Sequence, residues 1–215
     1  YLTEKDLKNA IKNDSFEMLY QPQYEIKSHK LIGFESLVRL KNKKGEYIDT
    51  QQFINVAEKS GLICEVDMWV MHNVMKQMKD FVTLHPDVEV SINVSGKHIT
   101  NKGFVEKVID SLSETGFPPK NLKIEITESS YIRYIDEAVQ VIQRLKVLGI
   151  KTALDDFGTG FSSLNYLSKM PVDMLKIDKS FVDKMLTKEN DRSFVDTIIK
   201  LGHIMGCKVI AEGVE

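Results

Sequence analysis

Leu7, Ala10 and Ile11 recur at helical spacing behind Thr3-Glu4-Lys5-Asp6. This predicts a first helix capped by Thr3, with acids in its first turn and Asn13-Asp14-Ser15 at its end. Two apolar runs follow, Phe16 to Gln21 and Leu31 to Leu37, separated by a polar Lys27-Ser28-His29-Lys30 turn; they predict an antiparallel hairpin. Asn42-Lys43-Lys44-Gly45 reads as a solvated loop. Asp49 is placed to cap a helix that runs through Lys59 and stops at Gly61. Val66, Trp69, Val70, Val74 and Met78 then keep helical spacing, predicting a longer helix from about Cys64 to Leu84, ended by His85-Pro86. Its methionines read as core filler. His72 reads as a structural or surface histidine.

From here the pattern becomes regular. Strands are predicted at Val88–Val94, Leu122–Thr127, Ile150–Asp155, Met174–Ile177 and Lys208–Ala211. Helices are predicted at Gly103–Thr115, Asp136–Leu148, Ser163–Met170 and Asp191–Met205, with Gly116, Gly149 and Gly206 as stops. Strands alternating with helices through short loops imply parallel βα units. A doubly wound sheet would show a glycine-rich phosphate loop after its first strand, and this chain has none there. The expectation is therefore an α/β fold, a modified (β/α)8 TIM-like barrel whose first strand runs antiparallel to its second.

Composition narrows the picture only a little. A chain of 215 residues suits one domain with a sizeable core. The net charge of -2 gives no electrostatic case for a nucleic-acid polymer or an anionic membrane as partner. No apolar segment has transmembrane length. Cys64 and Cys207 are too few for a disulfide framework or structural zinc site, so both are expected as reduced, partly buried thiols in a cytoplasmic protein. The chain begins at Tyr1, and it is expected to be a piece of a longer protein.

The chemistry lies at the ends of the apolar runs. Glu35, Asn93, Glu125, Asp155, Lys176 and Glu212 each occupy the same place relative to their own run, and Asp156-Phe157-Gly158-Thr159-Gly160 follows Asp155 at once. In a barrel those positions converge on one rim. Glu35, Glu125, Asp155, Asp156 and Glu212 would repel one another there, and divalent cations are the remedy. Oxygen-only ligands favour Mg²⁺ or Mn²⁺ over zinc. A cluster of this size suits two metals roughly 3.5–4 Å apart, the arrangement that stabilises both oxygens in phosphodiester hydrolysis. Lys176, the only cation in the set, is expected to stabilise developing phosphorane charge or to orient the nucleophilic water. Each residue alone has a blander reading: Asp156 as a helix cap, Arg39 as a surface pairing residue. Six polar residues at six strand ends are harder to dismiss.

These residues resemble the EAL domain family, bacterial phosphodiesterases that linearise cyclic di-GMP. Glu35-Ser36-Leu37-Val38-Arg39 is similar to the signature Glu-Ala-Leu-x-Arg. Asn93-Val94-Ser95, Glu125-Ile126-Thr127-Glu128, Asp155 to Gly160, Leu175-Lys176-Ile177-Asp178 and Glu212-Gly213-Val214-Glu215 resemble the remaining motifs in order. The resemblance implies that Glu35, Asn93, Glu125 and Asp155 hold one metal, with Asp155 bridging to a second helped by Asp156. It implies Lys176 at the nucleophilic water and Glu212 as metal-site or general-base carboxylate. Gln21, Arg39, Asp178 and Glu215 would meet the dinucleotide. Glu128 would support a regulatory loop, Asp156 to Ser163, that links the metal site to a homodimer interface. A sensory or GGDEF-type domain upstream is expected too, with the whole cytoplasmic or the cytoplasmic part of a membrane-bound protein.

Two departures stand out. Ser36 replaces the signature alanine and could add a hydroxyl near the ligands, and Leu40 stands where tryptophan is common. Family members also continue into a further helix and strand, so the barrel is expected to lack its last strand within these 215 residues. The leading expectation is metal-dependent conversion of cyclic di-GMP to linear 5'-pGpG. The runner-up is a cyclic di-GMP receptor that does not cleave; such domains have usually lost ligands, and none is lost here. A metal-dependent aldolase on the same scaffold ranks third, for want of a phosphate-anchoring loop.

Overall fold

The computed structural model describes residues 2–42, 44–133, 135–158, 171–185 and 189–214, with the side chains of 129, 131, 132 and 189–191 excepted. The chain divides into two compact units, Tyr1–Lys123 and Ile124–Glu215.

In the first unit, α1 (Glu4–Lys12) starts with a full capping box. Thr3 Oγ1 accepts the Asp6 N–H at 3.2 Å, and the Asp6 carboxylate accepts the Thr3 N–H at 3.1 Å. Just past its end, Asp14 takes up φ 49° and accepts the Trp69 indole N–H at 2.6 Å, tying α1 to the long helix. Strands β1 (Phe16–Tyr24) and β2 (Leu31–Lys41) form the expected antiparallel hairpin, with Gln21 opposite Glu35 and Tyr20 opposite Ser36. A two-residue strand, β3 (Tyr47–Ile48), adds to β2 beyond the stretch read as a loop. The Asn42 side chain explains it: Oδ1 accepts the N–H groups of Lys44 and Glu46, closing a tight turn with Gly45 at φ 82°.

Helix α2 (Thr50–Ser60) is capped by Asp49 and stopped by left-handed Gly61, as the sequence predicts. Helix α3 (Ile63–Leu84) buries Val66, Val70, Val74 and Met78, and Met71 and Met75 are fully buried, so these three methionines are core while Met68 is half-buried. Strand β4 (Glu89–Asn93) lies parallel to β2, with Glu35 opposite Ser91. The single helix expected at Gly103–Thr115 is preceded by a short one: α4 (Gly96–Ile99), then α5 (Phe104–Thr115). His72 sits at the surface, 3.5 Å from the Glu114 carboxylate.

Strand β5 (Leu122–Thr127) carries the chain across into the second unit, where β5, β6 (Lys151–Phe157), β7 (Met174–Ile177) and β8 (Lys208–Ala211) follow one another in the sheet. Helix α7 (Ile135–Val147) matches expectation and packs on β6. Two short helices were not legible: α6 (Glu128–Arg133) and α8 (Lys179–Lys184). Helix α9 (Glu189–Ile204) packs against β7 and β8. The helix expected at Ser163–Met170 lies outside the described residues. Both cysteines are free; Cys207 is buried and its thiol donates to the Val172 carbonyl at 3.2 Å. No described helix is long and apolar enough to cross a membrane.

One buried amide fixes how the first unit enters β4. Asn121 is 1 % exposed, and its Nδ2 donates to the carbonyls of Pro86 at 3.0 Å and Val88 at 2.6 Å. Asn121→Ala strands two carbonyls and should cost about 2 kcal/mol. A lower midpoint in urea unfolding with an unchanged slope is the expected result.

Candidate active site

The predicted strand-end residues fall into two groups, one in each unit. In the second unit, Lys176 is the centre. Its neighbours on β7, Leu175 and Ile177, are fully buried, and Lys176 itself is 0 % exposed. Its Nζ lies 2.6 Å from Glu125 Oε2, 2.8 Å from Glu212 Oε1 and 3.2 Å from Asp155 Oδ1. A buried ammonium is tolerable only when paired, and three carboxylates from β5, β6 and the end of β8 do the pairing. Glu212 is fixed there by its own N–H, which donates to the Ile177 carbonyl at 3.1 Å.

Asp155 and Asp156 raise a geometric problem that the structure solves. Adjacent strand residues point to opposite faces. Here the pairing of β6 with β7 slips between Leu154 and Phe157, and Asp156 adopts φ 56°. The bulge breaks the alternation. Carboxylate oxygens of Asp155, Asp156 and Glu212 consequently lie within 4.8 Å of one another. This spacing and all-oxygen chemistry fit a divalent cation. Asp156 is among the few residue types that tolerate a left-handed backbone, and its N–H donates to Asp155 Oδ1 at 2.9 Å.

Two residues on, Gly158 has φ 98° and donates its N–H to Glu128 Oε2 at 2.9 Å. Glu128, 1 % exposed, opens α6. The rest of the expected regulatory loop, residues 159–163, lies outside the described residues, as does Glu215. Asp178 caps α8: its Oδ1 accepts the N–H of Ser180 at 3.0 Å and the Ser180 hydroxyl.

In the first unit, Asn93 Nδ2 donates to Glu35 Oε1 at 3.0 Å, and Gln21 stands across the hairpin from Glu35. The Arg39 guanidinium donates to the Val38 carbonyl at 2.9 Å. Ser36 is 3 % exposed and its hydroxyl donates to the Ser91 carbonyl at 2.6 Å, so the hydroxyl expected near the ligands serves the strand pair instead. Leu40 is buried opposite Phe16.

One buried cation was missed. Lys123 is 2 % exposed, with Nζ 3.3 Å from Gln23 Oε1 and 3.5 Å from Glu89 Oε2. Gly33 leaves the room: a Cβ there would stand 2.9 Å from the Glu89 carbonyl oxygen and 3.3 Å from Gln23 Oε1. The signal was the alternation of Leu122 to Thr127, which puts Lys123 and Glu125 on one face of the strand.

The chain is similar to several known proteins. The signaling protein YkoW of Bacillus subtilis is 39% identical over 212 residues, covering 99% of this chain and 26% of YkoW. The bifunctional diguanylate cyclase/cyclic di-GMP phosphodiesterase MucR of Pseudomonas aeruginosa is 33% identical over 211 residues, covering 98% of this chain and 31% of MucR. The chain thus spans about a quarter to a third of the length of these relatives. Among solved structures, the PaMucR phosphodiesterase in its c-di-GMP complex superimposes with a TM-score of 0.92 at 33% identity, covering 98% of this chain and 86% of that one. The fold class is accordingly the expected one, the α/β, TIM-like fold of EAL structures. The family model of the EAL domain matches residues 4–215, and the chain belongs to that family.

Proposed function

We propose that this domain hydrolyses cyclic di-GMP to linear 5'-pGpG, with Mg²⁺ or Mn²⁺ as cofactor, two ions at full occupancy. The observation that carries the reading is the gathering of Glu125, Asp155 and Glu212 around one buried ammonium, with Asp156 turned toward them by a bulge. Such a site is built to handle charge. The relatives named as cyclic di-GMP phosphodiesterases supply the substrate.

Asp155, Asp156 and Glu212 are assigned as metal ligands, and Glu35, Asn93 and Glu125 as the further ones. Bound metal would supply Lewis-acid chemistry, neutralising phosphodiester charge and making water a stronger nucleophile. The protein's own groups do the rest. Lys176 presents N–H donors to the attacking water or to phosphate oxygens as charge builds. Glu212 is assigned to take a proton from that water, and its being the most exposed of the three carboxylates at Lys176 (25 %) supports this. Gln21 and Arg39 are assigned to the dinucleotide, with Asp178 and Glu215 beside them. Glu128 holds the start of the loop through Gly158. A homodimer through residues 156–163, a sensory or GGDEF-type domain in the same protein, and a cytoplasmic location complete the reading. The greater length of the relatives supports the added domains.

Turnover of cyclic di-GMP should require Mg²⁺ or Mn²⁺ and vanish with chelator. Glu35→Ala and Glu212→Gln should each reduce kcat by at least about 100-fold, the scale for loss of a positioned proton-transfer or charge-stabilising group. Full activity in either variant, measured by chromatographic separation of pGpG, would sink the assignment; binding without product in the wild type would make the domain a receptor.

Lys176→Met separates charge from catalysis. It leaves three carboxylates facing one another in a buried site, a loss on the order of 3–5 kcal/mol. Thermal unfolding should show a markedly lower Tm in chelator, and Mn²⁺ should raise the Tm of the variant more than that of the wild type. Equal shifts in both proteins would contradict the pairing role.

A further inference from the structure

Asn93 is an exposed side chain, so packing does not hold it. Its position is set by the backbone on either side. Ile92 and Val94 are buried, and the next N–H, that of Ser95, donates to Asp67 Oδ2 at 3.0 Å. Asp67 is an unexpected residue for that place. It lies inside the apolar stripe of α3, next to Val66 and one turn before Val70 and Met71, and is 5 % exposed. A carboxylate there is costly unless it is satisfied.

The same oxygen of Asp67 lies 3.1 Å from Nδ1 of His98, which is 0 % exposed. The ring has Phe104 against it, edge to face, with centroids 4.8 Å apart. Its other nitrogen, Nε2, has no hydrogen-bond partner among the described residues, so Asp67 is the one described polar contact of the ring and Nδ1–H faces the carboxylate. Ser95 closes the arrangement by capping α4, its Oγ accepting the His98 N–H at 3.2 Å. A buried acid, a buried imidazole and one backbone N–H therefore converge on the turn directly after the strand end that carries Asn93.

We propose that Asp67, held by His98, is a positioning residue for the metal site. It fixes the β4–α4 turn so that Asn93 meets Glu35 in the geometry that binds metal. The proposal rests on the metal-dependent reading above. Groups that hold and orient metal ligands from behind typically govern affinity by about 10–100-fold. What Asp67 supplies is an acceptor of the right shape, so an amide should replace it and a methyl should not.

The test uses the whole domain at a temperature where each variant is folded by circular dichroism. Mn²⁺ affinity is read from the electron paramagnetic resonance signal of free Mn²⁺, and kcat and KM are measured in parallel. Asp67→Ala should weaken Mn²⁺ binding by about 10–100-fold and lower kcat, with KM for cyclic di-GMP little changed. Asp67→Asn should restore affinity to within a few-fold. Asn121→Ala, which destabilises the same unit at the other end of β4, should leave Mn²⁺ affinity unchanged. If Asp67→Ala does not fold, Ser95→Pro carries the test: Ser95 has φ -67°, which suits proline, and the change deletes the N–H. Ser95→Ala loses the same helix cap but keeps the N–H, so only the proline variant should lose affinity. Wild-type Mn²⁺ affinity in Asp67→Ala or in Ser95→Pro, or no rescue by Asp67→Asn, overturns the proposal while the phosphodiesterase reading stands. A wild-type domain that neither binds Mn²⁺ nor hydrolyses cyclic di-GMP overturns both.

Discussion

Burial of Lys176 constrains everything around it in the second unit. An ammonium flanked by Leu175 and Ile177 cannot reach water, so its charge must be met where it lies. Meeting it takes Glu125 from β5, Asp155 from β6 and Glu212 from the end of β8, and each is drawn to within 3.2 Å. The carboxylates need the lysine as much as it needs them, because three acids that close would otherwise face one another with no opposite charge between them. Strand order, register and chemistry are thus one requirement: moving any of the strands by one residue turns its charged group to the other face.

Much of this could be read along the chain because it is periodic. The capping box at Thr3, the Asp49 cap, the hairpin and the βα alternation follow from local rules, and they appear where those rules put them. The strand-end acids were legible for the same reason. What escaped is what breaks a local rule for a tertiary reason. Alternation alone would send Asp155 and Asp156 to opposite faces, and only the slip in pairing with β7 keeps both at the site. Lys123 resembles any strand lysine until Gln23 and Glu89 are seen beside it. Asp67 looks like an error in the α3 stripe until Ser95 and His98 arrive from 28 and 31 residues away. Helices α4 and α8 are short, held by caps at Ser95 and Asp178 more than by apolar spacing.

Ser36 shows why a departure in a signature need not alter chemistry. Next to Glu35, a new hydroxyl is expected near the ligands. Side-chain alternation sends it to the other face of β2, where the Ser91 carbonyl takes it up. The hydroxyl joins the strand pairing, while the acid beside it keeps its own partner, the Asn93 amide.

The exit from β6 draws these threads together. Asp156 and Gly158, two residues apart, both have positive φ, so the backbone leaves regular strand geometry where the second carboxylate of the pair is presented. Position 158 calls for glycine: its φ is 98°, Glu128 accepts its N–H, and a Cβ in its place would meet Phe181, Ile198 and Phe194 at 3.1 to 3.3 Å. Aspartate is one of the few residue types that accept the φ of 56° found at 156, so the turn suits an acid at 156 and a glycine at 158. The Asp156 carboxylate and the Gly158 N–H held by Glu128 are therefore set within the same three residues of backbone.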